Sequence, residues 1–314
     1  MKSITIIKNR SDIGAGTRGS DLGVDAIEIA AINQHNSFFN EHSHVDVPTH
    51  NETIYNKNFL KTEHRIGFVL EQCQRVCDAV SAVLKENKFP LILSGDHSSA
   101  FGSLAGIQHA QPSKTLGVIW VDAHADLHSP LSSPSGNVHG MPLAAALGYN
   151  NETLAANEVN EKTHQLWDEL KKVGGDQAKV TPEHLIFFGV RDTEETEDKV
   201  MEQNNIKNYP VDEIRYRGLS LCVAEALERL SAVDSIYISF DVDSLDCDLI
   251  SKGTGTPVSK GFDIDEVVAI IQQIIASQKV IGLEVTEVNP LLDNKGNRMA
   301  EAAFEVIYRL FQKK

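Results

Sequence analysis

The sequence predicts an α/β protein built in three layers (α/β/α), with a mostly parallel central sheet covered by helices on both faces. Two observations predict this class. Short apolar runs typical of buried strands recur along the chain, and helical patterns of apolar residues separate most of them. Because no linker, internal repeat or low-complexity tract interrupts the 314 residues, we expect a single domain over residues 1–314.

The expected elements alternate along the chain. Six apolar runs are the predicted strands: 4–7, 90–93, 116–121, 185–189, 235–240 and 280–285. Four stretches with apolar residues at intervals of three and four are the clearest helices: 66–85, 223–230, 264–276 and 300–312. The polar segment 150–178 is expected to form a surface excursion, on which Leu166, Trp167 and Leu170 could anchor a further helix.

Composition narrows the class of partner. With 41% hydrophobic residues the chain can bury a large core, and its formal net charge of -15 disfavours nucleic acid and favours cationic ligands. No apolar run approaches the ~18 residues that span a bilayer, and the apolar run at the N-terminus is too short for a secretion signal, so we expect no membrane partner. Few cysteines and no CxxC pair indicate a reducing compartment, and we expect a cytoplasmic protein.

The stretch VDAHADLHSPLSSPSGNVHG, residues 121–140, concentrates coordinating side chains directly after a predicted strand. Asp122, His124 and Asp126 alternate with alanines, so an extended backbone places them on one face. Three further clusters lie at the C-terminal ends of other predicted strands: Asp96 and His97, Asp241 and Asp243, and Glu284 and Glu287. Because the carboxyl ends of parallel strands meet at one edge of a sheet, we expect these clusters to converge there, although the two glutamates alone are also typical of a solvated edge.

This set of side chains predicts a pair of metal ions. The candidate ligands are His97, Asp122, His124, Asp126, Asp241 and Asp243. Four carboxylates in one small volume would force some to protonate unless cations neutralise them, and two divalent ions would do so. Mainly carboxylate ligands with two imidazoles and no thiolate suit Mn²⁺ better than structural zinc, with Co²⁺, Ni²⁺ or Fe²⁺ as alternatives. Taken singly, His97, or the pair Asp241 and Asp243, would also be typical of turns and helix caps.

In their order along the chain, four motifs resemble those of the ureohydrolases and, within them, the arginases: SGDHS, DAHADLHSPLSSPSGNVHG, SFDVDSLD followed by GTGTP, and EVNP. The resemblance spans nearly the whole chain. It implies an arginase-like fold and catalytic domain, two Mn²⁺ per chain, a homo-oligomer (trimer or hexamer), and hydrolysis of L-arginine to L-ornithine and urea by a metal-bridging hydroxide. The implied ligands are His97, Asp122, Asp126 and Asp241 for one ion, and Asp122, His124, Asp241 and Asp243 for the other.

The same resemblance places the substrate. Glu287 matches the acid that holds the guanidinium group, while Ser135 and Asn137 match residues that hold the α-carboxylate. Asp126, close to the departing nitrogen in this scheme, would carry the proton that makes the ornithine amine a leaving group. His139 matches the proton shuttle at the mouth of the site.

The chain departs from the family pattern at several positions. His128 stands where the arginases carry an asparagine that contacts the α-carboxylate, and a neutral imidazole would still offer one N–H donor. Glu194 stands where an aspartate near the α-amino group is expected, and Ser94 replaces the first glycine of GGDHS. The loop from Asp243 to Thr256, a residue that the pattern places at the guanidinium, is one residue longer than usual.

Other functions stay open on these residues. Another ureohydrolase would act on agmatine, guanidinobutyrate or formiminoglutamate, and the loop with Ser135 and Asn137 favours L-arginine over agmatine, which has no carboxylate. A binuclear metallophosphoesterase would need adjacent Asn and His residues and a later histidine pair, whereas Asn137 and His139 are two positions apart. A non-catalytic binding relative would be expected to lose ligands, and all six are present.

Overall fold

An eight-stranded, all-parallel sheet forms the centre of the computed structural model, which describes residues 2–55 and 61–312. Its strands are β1 (Ile4–Asn9), β2 (Ser43–Asp46), β3 (Phe89–Ser94), β4 (Leu116–Val121), β5 (Leu185–Phe188), β6 (Lys207–Tyr209), β7 (Ser235–Asp241) and β8 (Val280–Thr286). Their order across the sheet is β2-β1-β3-β8-β7-β4-β5-β6. The strand that is last in sequence therefore lies near the centre, between β3 and β7.

Ten α-helices within the described residues accompany the sheet. They are α1 (Gly23–Asn33), α2 (Thr62–Lys85), α3 (Ala100–Ala110), α4 (Pro142–Leu147), α5 (Glu161–Lys171), α6 (Glu195–Gln203), α7 (Val211–Arg217), α8 (Leu219–Arg229), α9 (Ile264–Ile275) and α10 (Arg298–Phe311). None of these helices combines the length and the apolar character needed to cross a membrane.

Two hydrophobic cores lie on opposite faces of the sheet. Successive strand residues alternate between them, so that Ile6 belongs to one core and Ile7 to the other, as do Ile119 and Trp120 on β4. Helices α1 and α7 to α10 contribute to the first core, and α2 to α6 contribute to the second. The predicted three-layer α/β/α class is therefore confirmed, and the sheet is parallel throughout.

All six predicted strands are present, with ends that differ from the prediction by no more than two residues. The two strands that the sequence did not predict, β2 and β6, are short, polar and at the edges of the sheet, where polar side chains are common because only one side of the strand is paired. Helix α3 was also not predicted. It is buried along most of its length, so its apolar residues form no single stripe that a helical period would reveal.

The polar segment 150–178 does carry a helix, as expected. Trp167 and Leu170 of α5 are buried in the second core, and Leu166 packs at its margin. The side chain of Asn160 caps the helix by accepting a hydrogen bond from the backbone N–H of Thr163 at 2.8 Å. A short apolar stripe is thus enough to anchor this otherwise polar excursion.

The four central strands, β3, β8, β7 and β4, bring the predicted clusters to one edge of the sheet. The connecting loops pack closely there: the carbonyl of Gly95 accepts the backbone N–H of Glu287 at 2.8 Å. A Cβ atom at Gly95 would lie 2.2 Å from the carbonyl oxygen of Ser11, so only glycine permits this approach. The loop after β3 is therefore held directly against the loops after β1 and β8.

Candidate metal centre and substrate pocket

His97 lies at the centre of a group of buried aspartates. Its Nδ1 atom is 3.1 Å from Oδ2 of Asp122, 3.0 Å from Oδ2 of Asp126 and 3.1 Å from Oδ2 of Asp241. Within the described residues, His97 Nδ1 and the Oδ2 atoms of Asp122 and Asp126 are buried without a hydrogen-bond partner. Buried polar atoms are rarely left without a partner, and their convergence on one point fits the ligand set of a cation.

A second group shares one of these aspartates. His124 Nδ1 lies 3.6 Å from Oδ1 of Asp122 and 3.0 Å from Oδ2 of Asp243. The two oxygens of Asp122 therefore face different imidazoles, as a carboxylate that bridges two ions would. The six predicted ligands thus form one continuous cluster of four carboxylates and two histidines.

The electrostatics of the cluster also fit a cation site. Burial raises the pKa of Asp126 to about 6, and it raises the pKa values of Asp241 and Asp243 as well. Burial alone would lower the pKa values of His97 and His124, but the neighbouring carboxylates outweigh it and raise both. Without a counter-ion the cluster favours bound protons, which divalent cations would replace.

Each short motif holds its own ligands through the backbone. Asp122 Oδ1 accepts the backbone N–H of His124 at 2.7 Å, and Asp241 Oδ1 accepts that of Asp243 at 2.8 Å. The first aspartate of each D-x-[HD] motif therefore shapes the turn that presents the ligand two residues later. This local geometry explains why the spacing in the sequence predicts the cluster.

Two site residues adopt an uncommon backbone conformation. Asp126 has φ of 52° and Glu287 has φ of 67°, both in the left-handed region that non-glycine residues seldom occupy. The backbone of Asp126 is held by the N–H of Leu143, which donates to its carbonyl at 3.1 Å. Such conformations cost about 1–3 kcal/mol each, so the surrounding contacts stabilise a geometry that aims these two side chains into the site.

Glu287 stands beside the cluster and is almost fully buried, with 3% of its surface exposed. Its Oε1 accepts the backbone N–H of His97 at 2.8 Å and lies 3.1 Å from Nδ1 of His139. Burial opposes protonation of His139, but the contact with Glu287 outweighs it and raises the pKa of that imidazole. A carboxylate and a protonatable imidazole are thus adjacent in the lining of one pocket.

A cavity of about 250 Å³ opens above the cluster. Of the residues predicted to form the site, all but Asp122 line it: His97, His124, Asp126, His128, Ser135, Asn137, His139, Glu194, Asp241, Asp243, Thr256 and Glu287. Asp122 lies beneath them with 1% of its surface exposed. The structure therefore brings the whole predicted set together around one pocket.

The rim loop that contains Ser135 and Asn137 is held by distant parts of the chain. The Arg65 guanidinium of α2 donates to Oδ1 of Asn137, and the backbone N–H of Asn137 donates to the exposed Ser135 hydroxyl at 3.2 Å. The carbonyl of Gly14 accepts the N–H groups of residues 138 and 139. These contacts fix the loop that the sequence assigns to the α-carboxylate.

The expected free N–H donor of His128 is not what the structure shows. Its Nε2 atom pairs with the carboxylate of Glu194 and lies 3.5 Å from Oε2 of Glu197, while Nδ1 lies 3.3 Å from the hydroxyl of Ser132. Burial lowers the pKa of His128 although Glu194 opposes this. Both ring nitrogens are thus used within the protein, and the two departures from the family pattern, His128 and Glu194, contact each other.

The expectation for Thr256 also changes in detail. Its hydroxyl donates to Oδ2 of Asp243 at 3.1 Å, and the residue lies exposed at the pocket wall. In this arrangement Thr256 supports a predicted metal ligand as well as facing the cavity, despite the longer loop that precedes it.

Sequence reasoning missed Glu197 and Arg191. Glu197 lines the pocket, accepts the backbone N–H of Leu127 at 3.2 Å, and has its pKa raised by burial to about 8. Arg191 donates to the backbone carbonyls of Gly189, Asp243 and Val258 and so joins the loop after β5 to two parts of the connection that follows β7. Both residues follow β5 and so lie at the same edge of the sheet as the other clusters, which is the one signal in the sequence. Residues 192–197 contain four acidic side chains, however, and the sequence does not indicate which of them is buried.

Comparison with known proteins shows the family of this chain. The family model described as the arginase family matches residues 2–312. The chain belongs to the arginase family. It is 36% identical to the arginase of Bacillus subtilis over 100% of this chain and 99% of that protein, and 33% identical to the arginase of Bacillus caldovelox over the same shares. The crystal structure of native Bacillus caldovelox arginase superposes with a TM-score of 0.85, covering 100% of this chain and 99% of that one. The predicted family and its α/β fold are thereby confirmed.

Proposed function

We propose that the protein hydrolyses L-arginine to L-ornithine and urea. Its full-length similarity to arginases supports this reaction. One structural observation carries the proposal: four aspartates and two histidines converge at the floor of a cavity whose rim carries the loop with Ser135 and Asn137. The cavity therefore combines a cation centre with groups that suit an amino acid.

The cluster fits two divalent ions, and we propose Mn²⁺. The proposed ligands are His97, Asp122, Asp126 and Asp241 for one ion, and Asp122, His124, Asp241 and Asp243 for the other. When bound, such ions polarise the substrate and bring the pKa of coordinated water from ~15.7 toward ~7, which supplies a nucleophile at neutral pH. The unpartnered atoms of His97, Asp122 and Asp126 support this assignment.

The protein's own groups position the substrate and move protons. Glu287 receives the guanidinium group through charge-assisted hydrogen bonds, which orient its carbon toward the floor of the pocket. Asp126, which lines the pocket, carries a proton to the nitrogen that leaves as the ornithine amine. His139, which contacts Glu287, exchanges protons between the site and the solvent.

The outer half of the pocket receives the two charged groups of the amino acid. Because Arg65 occupies Oδ1 of Asn137, the amide NH₂ is the donor that Asn137 offers to the α-carboxylate, together with the exposed hydroxyl of Ser135. The α-amino group is directed to Glu194, which lines the same cavity. In this arrangement His128 acts on the substrate through Glu194.

Three further features are part of the proposal. We propose that residues 1–314 form a single catalytic domain, that the chain assembles as a homo-oligomer, a trimer or a hexamer, and that it works in the cytoplasm. The low cysteine content supports the last of these.

A substrate panel tests the proposed reaction. Protein loaded with Mn²⁺ is assayed for urea release from L-arginine, agmatine and guanidinobutyrate, which lack the carboxylate and the amino group respectively, and for cleavage of formiminoglutamate. We expect L-arginine to be the strongly preferred substrate, and treatment with a chelator to abolish urea release until Mn²⁺ is restored. Equal turnover of agmatine would contradict the role of Ser135 and Asn137, and preference for another member of the panel would replace the proposed substrate.

A further inference from the structure

A series of buried polar side chains begins at His97, on the side of its ring away from the aspartates. The Nε2 atom of the imidazole is 2.7 Å from the Ser239 hydroxyl, and the ring stacks on Trp120 with centroids 4.1 Å apart and planes 7° from parallel. Both His97 and Ser239 are buried. The stacking fixes the plane of the ring, while Ser239 meets the nitrogen that does not face the aspartates.

Glu284 is the last member of this series and lies within the sheet. It is completely buried, and it is the cross-strand neighbour of Ser239 between β8 and β7. The phenol of Tyr237, two residues before Ser239 on the same face of β7, donates to Oε2 of Glu284 at 2.6 Å. Ser239, beside Glu284 across the strands and on the same face of β7 as Tyr237, acts on the phenol together with Ser103 of α3, and so links Glu284 and Tyr237 to His97.

The other oxygen of Glu284 is also occupied. The Ser94 hydroxyl donates to Oε1 of Glu284 at 2.6 Å and accepts from Asn9 Nδ2 at 3.3 Å. The Asn9 amide is in turn held by Gln72, whose Nε2 donates to Asn9 Oδ1. Among the described residues no lysine or arginine forms an ion pair with Glu284. A buried carboxylate without a cationic partner is destabilising, and the departure from the family pattern at Ser94 supplies one of its two hydroxyl donors.

The acceptors and donors define a direction. A carboxylate only accepts hydrogen bonds, so Tyr237 must donate to it, and the phenol oxygen is then free to accept from Ser239. Burial, together with the contact to Glu284, raises the pKa of Tyr237 well above its usual value, which keeps the phenol protonated. A Ser239 hydroxyl that donates its only proton to this oxygen can only accept from His97 Nε2, 2.7 Å away.

We propose that Glu284 is a positioning residue that, through Tyr237 and Ser239, holds His97 as the tautomer protonated at Nε2. The lone pair of Nδ1 then points into the aspartate cluster, where the proposed metal centre needs a ligand; the inference rests on that centre. If these hydrogen bonds ran in the opposite direction, the imidazole proton would be on Nδ1, and that nitrogen would have no lone pair to offer a metal ion. Groups that orient a metal-binding histidine in this way commonly change metal affinity when they are altered.

The test compares the hydrogen bonds that the two oxygens of Glu284 accept, one from Tyr237 and the other from Ser94. Tyr237→Phe and Ser239→Ala break the hydrogen bonds that lead to His97, whereas Ser94→Gly breaks the bond to the other oxygen and serves as the matched control. Mn²⁺ binding is measured by equilibrium dialysis, together with kcat and KM for L-arginine at saturating Mn²⁺. We expect the dissociation constant of one Mn²⁺ to rise about tenfold in the first two variants and to stay within about twofold in Ser94→Gly. KM at saturating Mn²⁺ should stay near the wild-type value.

A spectroscopic measurement separates positioning from general damage. In protein loaded with Co²⁺, the N–H protons of metal-bound imidazoles give shifted, exchangeable NMR signals. We expect the signal of His97 to exchange faster with solvent in Tyr237→Phe than in wild type or Ser94→Gly. Should Tyr237→Phe unfold, Tyr237→Phe combined with Glu284→Leu replaces the buried pair with apolar groups, which is often tolerated, and should show the same weakened binding.

The outcomes are distinct. Unchanged Mn²⁺ affinity and unchanged N–H exchange in folded Tyr237→Phe and Ser239→Ala, in a wild-type protein that binds Mn²⁺ and releases urea, would overturn the role of Glu284 alone. Wild-type protein that binds no divalent metal would overturn the proposed function and this inference together.

Discussion

At the floor of the pocket, the first aspartate of each D-x-[HD] motif is held by a hydrogen bond within that motif, whereas Asn137 and His128 at the rim are held by side chains from distant parts of the chain. Asp122 and Asp241 each bind a backbone N–H only two residues away. Asn137, by contrast, is held by Arg65, which is 72 residues away in sequence. The two aspartates are therefore positioned by their own motifs, while each rim side chain depends on a partner that a change at one position would leave mismatched.

The largest effect is expected at the floor. Asp122→Ala or Asp241→Ala removes an anionic ligand shared by both proposed ions, so urea release should fall by roughly a thousandfold, and elemental analysis should find fewer than two Mn²⁺ per chain. Asp248→Ala, an exposed acid in the loop after β7, is the control and should change neither value. Two retained ions with normal turnover in either variant would mean that the floor does not bind metal as proposed.

Glu287→Gln tests the boundary between floor and rim. The amide keeps the size of the side chain but loses the charge that pairs with guanidinium, so kcat/KM for L-arginine should fall by about a hundredfold. Metal content should be unchanged, because Glu287 holds the substrate in the proposed mechanism. If elemental analysis instead shows one ion lost, Glu287 belongs to the metal ligands.

The contact between His128 and Glu194 predicts that the rim varies in pairs. His128→Asn and Glu194→Asp each leave one partner mismatched and should raise KM for L-arginine about fivefold, a typical coupling of about 1 kcal/mol between contacting residues. The double variant, which has the two side chains usual in the family, should lie within about twofold of wild type. Steady-state kinetics of the four proteins measures this, and strictly additive effects would show that the pair is not coupled.

The smallest expected effect is on stability, at Glu197. Burial raises its pKa to about 8, above the ~4.3 of an exposed glutamate, so the folded protein binds this proton more tightly than the unfolded chain. The associated stability is present at low pH and is lost as the pH rises from about 4 through 8. Thermal unfolding between pH 5 and pH 9 should show Glu197→Gln gaining about 3 °C relative to wild type.

Glu202→Gln is the matched control for this measurement, because Glu202 lies on the same helix and is exposed. Its unfolding midpoint should follow that of wild type at every pH. A constant difference between Glu197→Gln and wild type over the whole range would show that Glu197 does not hold a proton when folded.

The same contrast explains what the sequence could predict. Buried strands and the D-x-[HD] motifs depend on residues close together in sequence, and the six proposed ligands accordingly converge where the pattern placed them. The environment of His128 depends on Glu194 and Ser132, and the role of Ser94 depends on Glu284, 190 residues away. Such pairings are set by the packing of loops, for which one sequence contains no periodic signal.

The place of β8 in the sheet has a consequence for how the molecule is made. Strand β8 alone joins β2, β1 and β3 to the group formed by β7, β4, β5 and β6. His97 follows a strand of the first group, while Asp122 and Asp241 belong to the second. The proposed metal centre therefore takes ligands from both sides of β8. Until residues 280–286 insert between β3 and β7, the two halves of the described sheet have no strand that joins them. We therefore expect a chain that ends before residue 280 to leave His97 apart from Asp122 and Asp241, and so not to assemble the proposed metal centre.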